Sequence, residues 1–345
     1  MVMTKKERIK AALVGKPVDR VPIGFWRHWP GDDQRTDSLA RVTLEYQQRY
    51  DLDFIKIPVT STYCVEDYGA KHEYRGNLIG DREFLGHVVN NLDDWNKIEP
   101  LDITRGKYGQ HLQVLRMVLE KREANTPVIF TIFNPLAMAS YLAGDEILLV
   151  HLRHNPDVVE RALKALTETC ARFAKAVINE GADGIFLSTR WASYELMSEE
   201  EYLRFGKPGD LSVLTVASGG WFNVLHLHGQ YPMFKLLSDY PGQAINWHDR
   251  TAWPGLTEAK KLFRGALMGG VEQYKTLNLG NPADVESQVH DGINLTEGRR
   301  LIITPGCTYP LSVPHSNLMA MRKAVDTYVA SRQSTLQTKT GKSAR

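Results

Sequence analysis

Two histidines stand two apart in Val224-Leu225-His226-Leu227-His228-Gly229-Gln230, a run that otherwise reads as a buried strand. Side chains alternate faces along a strand, so His226 and His228 point the same way. Cys307 follows another apolar run, "RLIITPG", some eighty residues on. Two imidazole nitrogens and one thiolate sulfur are a ligand set that zinc favours, and catalytic zinc keeps three protein ligands and an open position. His248 or Asp249, at the end of the neighbouring apolar run, are candidates for that fourth position and for proton transfer. The spacing leaves a second reading open, in which the histidines hydrogen-bond each other and nearby carbonyls while Cys307 packs as a small apolar residue.

Such residues need a scaffold that brings distant strand ends together. Eight short apolar runs alternate with helical patterns: "RVPIGFW" (20–26), "DFIKIPV" (53–59), "PVIFTIF" (127–133), "DGIFLST" (183–189), "FNVLHLH" (222–228), "QAINWH" (243–248), "GALMGGV" (265–271) and "RLIITPG" (300–306). Helical spacing recurs between them in "TDSLARVTLEYQQRY", "DVVERALKALTETCARFAKAVINEG", "PADVESQVHDGINL" and "PHSNLMAMRKAVDTYVASR", and "SEEEYLRFG" opens with a capping serine followed by acids. Eight β-α units predict a single (β/α)8 TIM barrel over 1–332. An open doubly wound sheet is the structural alternative, and no Gly-x-Gly-x-x-Gly follows the first run to support nucleotide binding. Residues 64–105 break the repeat with short alternating runs and glycine turns, which predicts a hairpin inserted after the second strand and lying over the barrel mouth. The polar stretch 333–345 is expected to be a disordered tail.

In a barrel, the chemistry sits at the C-terminal strand ends. Reading those ends adds Arg27, His28, Asn134 and Arg190 to the histidines and Cys307 as substrate-binding candidates, with Arg27 able to clamp a carboxylate. Tyr141, on an apolar segment beyond the third run, is a catalytic or core tyrosine. Cys64 and Cys170 are read as structural. The totals fit this picture. Hydrophobic residues at 43% and charged residues at 24% are those of an ordinary globular protein, and a net charge of +2 does not suggest a nucleic-acid surface. No apolar run reaches the roughly 18 residues that span a bilayer. Three scattered cysteines and an N-terminus without an apolar signal core point to the cytoplasm.

The strand-end motifs also resemble a known family, uroporphyrinogen decarboxylase and its relatives. The likeness runs over roughly 4–332 through "RIKAALVGKPVDRVPIGFWR", "FNPLAMASYLAG", "GADGIFLSTRWASYELMSEEEYLRF" and "ITPGCTYPLSVPHSNLMAM". The resemblance implies one of two chemistries. The decarboxylases are cofactor-free and use two arginines, an aspartate, a tyrosine and a late histidine. Arg27 and Tyr141 match, whereas the second arginine and the aspartate are missing and Cys307 stands where the histidine would be. The methyltransferase branch binds zinc through a His-x-Cys pair and a late cysteine. His226 and Cys307 match that set, and His228 replaces its first cysteine. The resemblance therefore implies a zinc-dependent methyltransferase working between a corrinoid and a thiol. A separate corrinoid carrier protein, a small-molecule substrate and a homodimer are further implications. A decarboxylase of another polycarboxylate, or a non-catalytic tetrapyrrole-binding protein, are the alternatives.

Overall fold

Apart from two short, partly polar strands in the insertion, strands form where the chain runs apolar for a few residues between proline and glycine turns. They are β1 (Ile55–Ile57), β2 (His72–Glu73), β3 (Glu83–Phe84), β4 (Val128–Phe133), β5 (Gly184–Thr189), β6 (Val224–Leu227), β7 (Ala244–Asn246), β8 (Ala266–Val271) and β9 (Leu301–Pro305). The computed structural model describes the backbone of residues 2–342 and the side chains of residues 2–329. The expected tail, 333–345, lies outside the residues whose side chains are described.

Seven strands form one curled parallel sheet in the order β1-β4-β5-β6-β7-β8-β9. Parallel neighbours cannot be joined by a tight turn, so helices such as Pro156–Asn179 and Pro282–Thr296 make the crossovers. Both faces of the sheet are covered, and β4, β5 and β8 are buried at every position. Alternation then sorts the side chains. Ile55, Ile57, Leu225 and Leu227 pack outward in the main core with the helices, while Phe54, Phe186, Val224 and Met268 pack in a second, inner cluster with Trp26. In parallel pairing, facing residues share a side, so Ser188, His226, Asn246 and Met268 form one inner layer across β5 to β8.

The sequence reading needs one correction here. The run 20–26 is not a strand: Ile23 alone bridges, in parallel, to Ile303. Gly24 N donates to Ile303 O at 3.0 Å, Ile303 N to Pro22 O at 2.8 Å, and Asp53 N to Ile23 O at 2.9 Å. Pro22 has no N–H to give a ladder, which limits the pairing to this short stretch. Close approach limits it further, because a Cβ on Gly24 would stand 2.2 Å from the Phe54 ring. The segment is tied down by charge instead. Asp53, fully buried, accepts from Arg8 Nη1 and Arg20 Nη1 at 2.6 Å each and from Ile23 N at 2.8 Å.

Other expectations hold. The helix read at 36–50 is Thr36–Tyr50. Ser198 caps Glu199–Phe205 in a capping box with Glu201. Residues 64–105 contain the antiparallel pair β2–β3 and a 3-10 helix, Leu92–Lys97. No helix among the described residues is long and apolar enough to cross a membrane.

Candidate active site

His226 lies near the end of β6 on the inner face, and His228 follows two residues later on the same side. Cys307 lies two residues beyond the end of β9, and the curl of the sheet brings it across to them. Its Sγ is 3.5 Å from His226 Nε2 and 3.7 Å from His228 Nδ1. A tetrahedral zinc site with ordinary Zn–S and Zn–N bonds has a sulfur-to-nitrogen edge of roughly 3.6 Å. The donor set therefore fits a metal ion, with all three atoms within 4.8 Å of one another. Burial pushes both imidazoles down, His226 well below its ordinary range, and pushes the Cys307 thiol up. Without a metal the group is neutral near pH 7.

Asn246 shows which nitrogen of His226 is available. The Asn246 amide nitrogen donates to Met268 O at 2.9 Å and Pro305 O at 3.1 Å, which makes its Oδ1 the acceptor. That oxygen is 2.7 Å from His226 Nδ1. Nδ1 therefore carries the proton, and the Nε2 lone pair faces Cys307. An outer partner of this kind orients a metal-binding histidine and fixes its tautomer. The sequence reading passed over Asn246, and its signal was an asparagine in the middle of the apolar run "QAINWH". Replacing it with alanine is expected to weaken zinc binding by about 10- to 100-fold with the fold intact, as read by competition with a chromophoric chelator.

A cavity of about 720 Å³ opens in front of the three donors. The insertion supplies part of its wall through Asp81, Arg82, Phe84 and His87. Phe84 stacks on Tyr141 with ring centroids 5.7 Å apart, which joins the insertion to the helix Pro135–Ala143.

The other candidates divide. His28, Tyr141 and Arg190 line this cavity. Burial lowers the His28 pKa and raises that of Tyr141, so neither carries charge near neutrality. Arg190 is already paired with Asp145 at 2.7 Å. Arg27 lines a separate small pocket and lies over the Trp29 ring at 4.6 Å. Asn134 caps the helix Pro135–Ala143, accepting from Ala137 N and donating to Asp210 at 2.8 Å. Asp249 accepts from Gly270 N through both oxygens, and burial pushes its carboxyl up to about 6. His248 packs 5.2 Å from the His228 ring and accepts from Gln273 at its Nδ1; its buried Nε2 has no partner among the described residues. Arg27, Asn134, His248 and Asp249 are therefore absent from the cavity wall. One wall residue that the sequence reading missed is Lys56, the polar residue of β1.

Comparison with known proteins sets this geometry in a family. The family model described as Uroporphyrinogen decarboxylase (URO-D) matches residues 4–328. The chain belongs to the URO-D family. Within it, the chain is 26% identical over 345 residues to the methylcobamide:CoM methyltransferase MtbA of Methanosarcina mazei, covering 94% of this chain and 98% of the relative. It is 26% identical to the methylcobamide:CoM methyltransferase MtaA of Methanosarcina barkeri, covering 95% and 99%. The solved structure of a methyltransferase from Methanosarcina mazei superposes with a TM-score of 0.84 at 23% identity, covering 94% of this chain and 99% of that one. That likeness gives this URO-D member its α/β fold with a parallel sheet.

Proposed function

We propose that this URO-D family protein is a methyltransferase that moves a methyl group from a methyl-corrinoid to a thiol. The observation that carries the reading is the group His226, His228 and Cys307, spaced as three corners of a tetrahedron at the base of a cavity. Relatives named as methylcobamide:CoM methyltransferases support it. His226 Nε2, His228 Nδ1 and the Cys307 thiolate would hold zinc, which supplies an open position where an acceptor thiol loses its proton near neutral pH. With two neutral imidazoles and one thiolate the occupied group carries a net charge of +1, one unit more positive than a site with two thiolates.

The chain's own residues do the rest. Asn246 holds His226 in the productive tautomer, and Phe186 stacks on its ring at 5.0 Å. Tyr141, His28 and Arg190 orient the acceptor against the cavity wall, and the insertion around Phe84 keeps water from it. A methyl-corrinoid would supply the methyl group as a carbon electrophile, keeping the bond's electron pair, and the acceptor sulfur would receive it. In this reading residues 22–24 complete a closed (β/α)8 barrel, the enzyme is a cytoplasmic homodimer, and a corrinoid carrier protein delivers the methyl group at the barrel mouth.

The test is methylcobalamin and 2-mercaptoethanesulfonate mixed with zinc-loaded protein. Loss of the methylcobalamin spectrum with a methyl thioether found by mass spectrometry is expected, and chelator-stripped protein should be inactive until zinc is restored. Neither change with any of a panel of thiols, in protein that holds zinc, refutes the reading.

A further inference from the structure

We propose that Lys56 is a carbonyl-binding lysine, whose amine forms a reversible imine with an uncharged aryl aldehyde laid against the aromatic wall of the cavity. The inference goes beyond methyl transfer and needs no metal. Its first support is placement. Ile55 and Ile57 face the outer core, which turns Lys56 into the barrel, where it is the one lysine of the cavity wall. Lys56 is also the one residue of β1 that is not fully buried, so its side chain stays reachable from that cavity. A space of about 720 Å³ has room for a two-ring aldehyde.

The surroundings favour the uncharged amine. Among the described residues the Lys56 ammonium makes no ion pair and no hydrogen bond, and its company is two aromatic faces, Phe186 at 4.6 Å and Trp26 at 5.1 Å. A cation held away from water without a counter-ion is costly. Asp81, an acid of the same wall, is engaged by Ser61 Oγ at 3.0 Å and by Arg82 N at 3.0 Å. Burial accordingly pushes the Lys56 ammonium down to about 7. A desolvated lysine of this kind is an activated nucleophile towards carbonyl groups. The amine lone pair adds to the carbonyl carbon, and both amine hydrogens leave with the carbonyl oxygen as water. A carbon–nitrogen double bond replaces the carbon–oxygen one, with nothing oxidised or reduced. The neutral imine no longer carries the charge that the site disfavours.

The wall also selects the aldehyde. Trp26 and Phe186 meet edge to face with centroids 5.4 Å apart, and Phe133 lines the same cavity. A flat ring conjugated with the imine lies well on such a surface. An acid group on the ligand finds no free cation, because Arg190 is paired with Asp145 at 2.7 Å and Arg82 with Asp33 at 2.7 Å. Lys56 itself loses its charge in the imine. Phe186 is also stacked on His226 at 5.0 Å, so the adduct lies beside the His226–His228–Cys307 group.

The experiment treats the full chain with limiting 2-naphthaldehyde and sodium cyanoborohydride at neutral pH. The reductant fixes an imine as a stable secondary amine, and peptide mass spectrometry locates it. Lys56 is expected to be labelled at least about tenfold faster than any surface lysine, whose amine is almost wholly protonated there. Propanal, which has no ring to stack, should show a much smaller preference for Lys56. Lys56→Met should lose the fast label and keep the slow surface labelling. Lys56→Arg keeps a cation over the two rings and forms no imine, so it gives the same loss if Lys56→Met does not fold. Without reductant, the aldehyde should wash out on dilution. Labelling of Lys56 no faster than that of surface lysines, or fast labelling that survives in a folded Lys56 variant, overturns the inference. Equal selectivity for propanal and 2-naphthaldehyde overturns the aryl class.

Discussion

Cys307→Ser is expected to purify folded but without stoichiometric zinc, where the wild type holds about one ion per chain. Cys307 contributes the one sulfur of the donor set and the one negative charge that the ion would meet there. A serine hydroxyl is a poor ligand that does not ionise near neutral pH, so the loss should go well beyond the roughly 100-fold expected from disturbing an outer partner such as Asn246. Elemental analysis of protein purified without a histidine tag checks this, beside His226→Ala, which should behave alike. Full zinc content in both variants would mean that the three side chains do not form the site.

The same group predicts how zinc uptake depends on pH. Burial holds the Cys307 thiol above its ordinary pKa, so it is protonated at pH 7 when the metal is absent. The two imidazoles are pushed down and are already neutral there. Zinc therefore displaces one proton, from sulfur, and affinity should rise as pH rises towards the elevated thiol pKa and level off above it. Towards acid, the imidazoles begin to compete only below their depressed pKa values. Calorimetry in buffers of different ionisation enthalpy should count about one proton per zinc near pH 7. A count of two or more would mean that a histidine is charged in the free site.

Asp53→Ala is expected to cost about 3–5 kcal/mol of stability, the range for removing one partner of a buried ion pair. Asp53 holds two guanidiniums, Arg8 and Arg20, and the Ile23 amide, all through one fully buried carboxylate. Without it, two largely buried cations keep their desolvation cost. Arg8 retains Asp19 as a partner, and Arg20 retains an oxygen of the half-exposed Asp326 at 3.2 Å and the Val21 carbonyl at 3.3 Å. The chain between Arg20 and Trp26, which lies against β9, loses its anchor to the chain just before β1. Urea unfolding measures the loss, with Arg41→Ala as the reference. Arg41 belongs to the exposed pair with Glu45 and should change stability by no more than about 1 kcal/mol. An Asp53→Ala cost as small as the reference would show that the clamp contributes nothing.

What could be read without the structure followed from local periodicity and chemistry. Seven of the eight apolar runs form strands of the main sheet, and the helix at 36–50 follows from its apolar spacing. That His226 and His228 share a face is a property of any strand. The thiol-and-imidazole set named its own candidate metal, and the family motifs over roughly 4–332 were legible as residues in order, against a family match over 4–328.

Other features depended on distances between segments remote in sequence. Cys307 meets His226 only because the sheet curls, and no spacing rule links positions 81 residues apart. Asn246 and Lys56 read as ordinary polar interruptions. Strand register places Asn246 beside His226 in one inner layer, and alternation turns Lys56 into the cavity. Position at a strand end was likewise insufficient for Arg27 and Asn134, whose side chains turn to Trp29 and Asp210. The run 20–26 has a strand's composition, yet Pro22 and the Phe54 ring against Gly24 keep it to a single bridge. Residue type and alternation are properties of neighbours along the chain, so the sequence alone determined which groups could do chemistry and which of them share a face. Partners, counter-charges and the cavity depend on which strands lie side by side, and only the tertiary structure decided those.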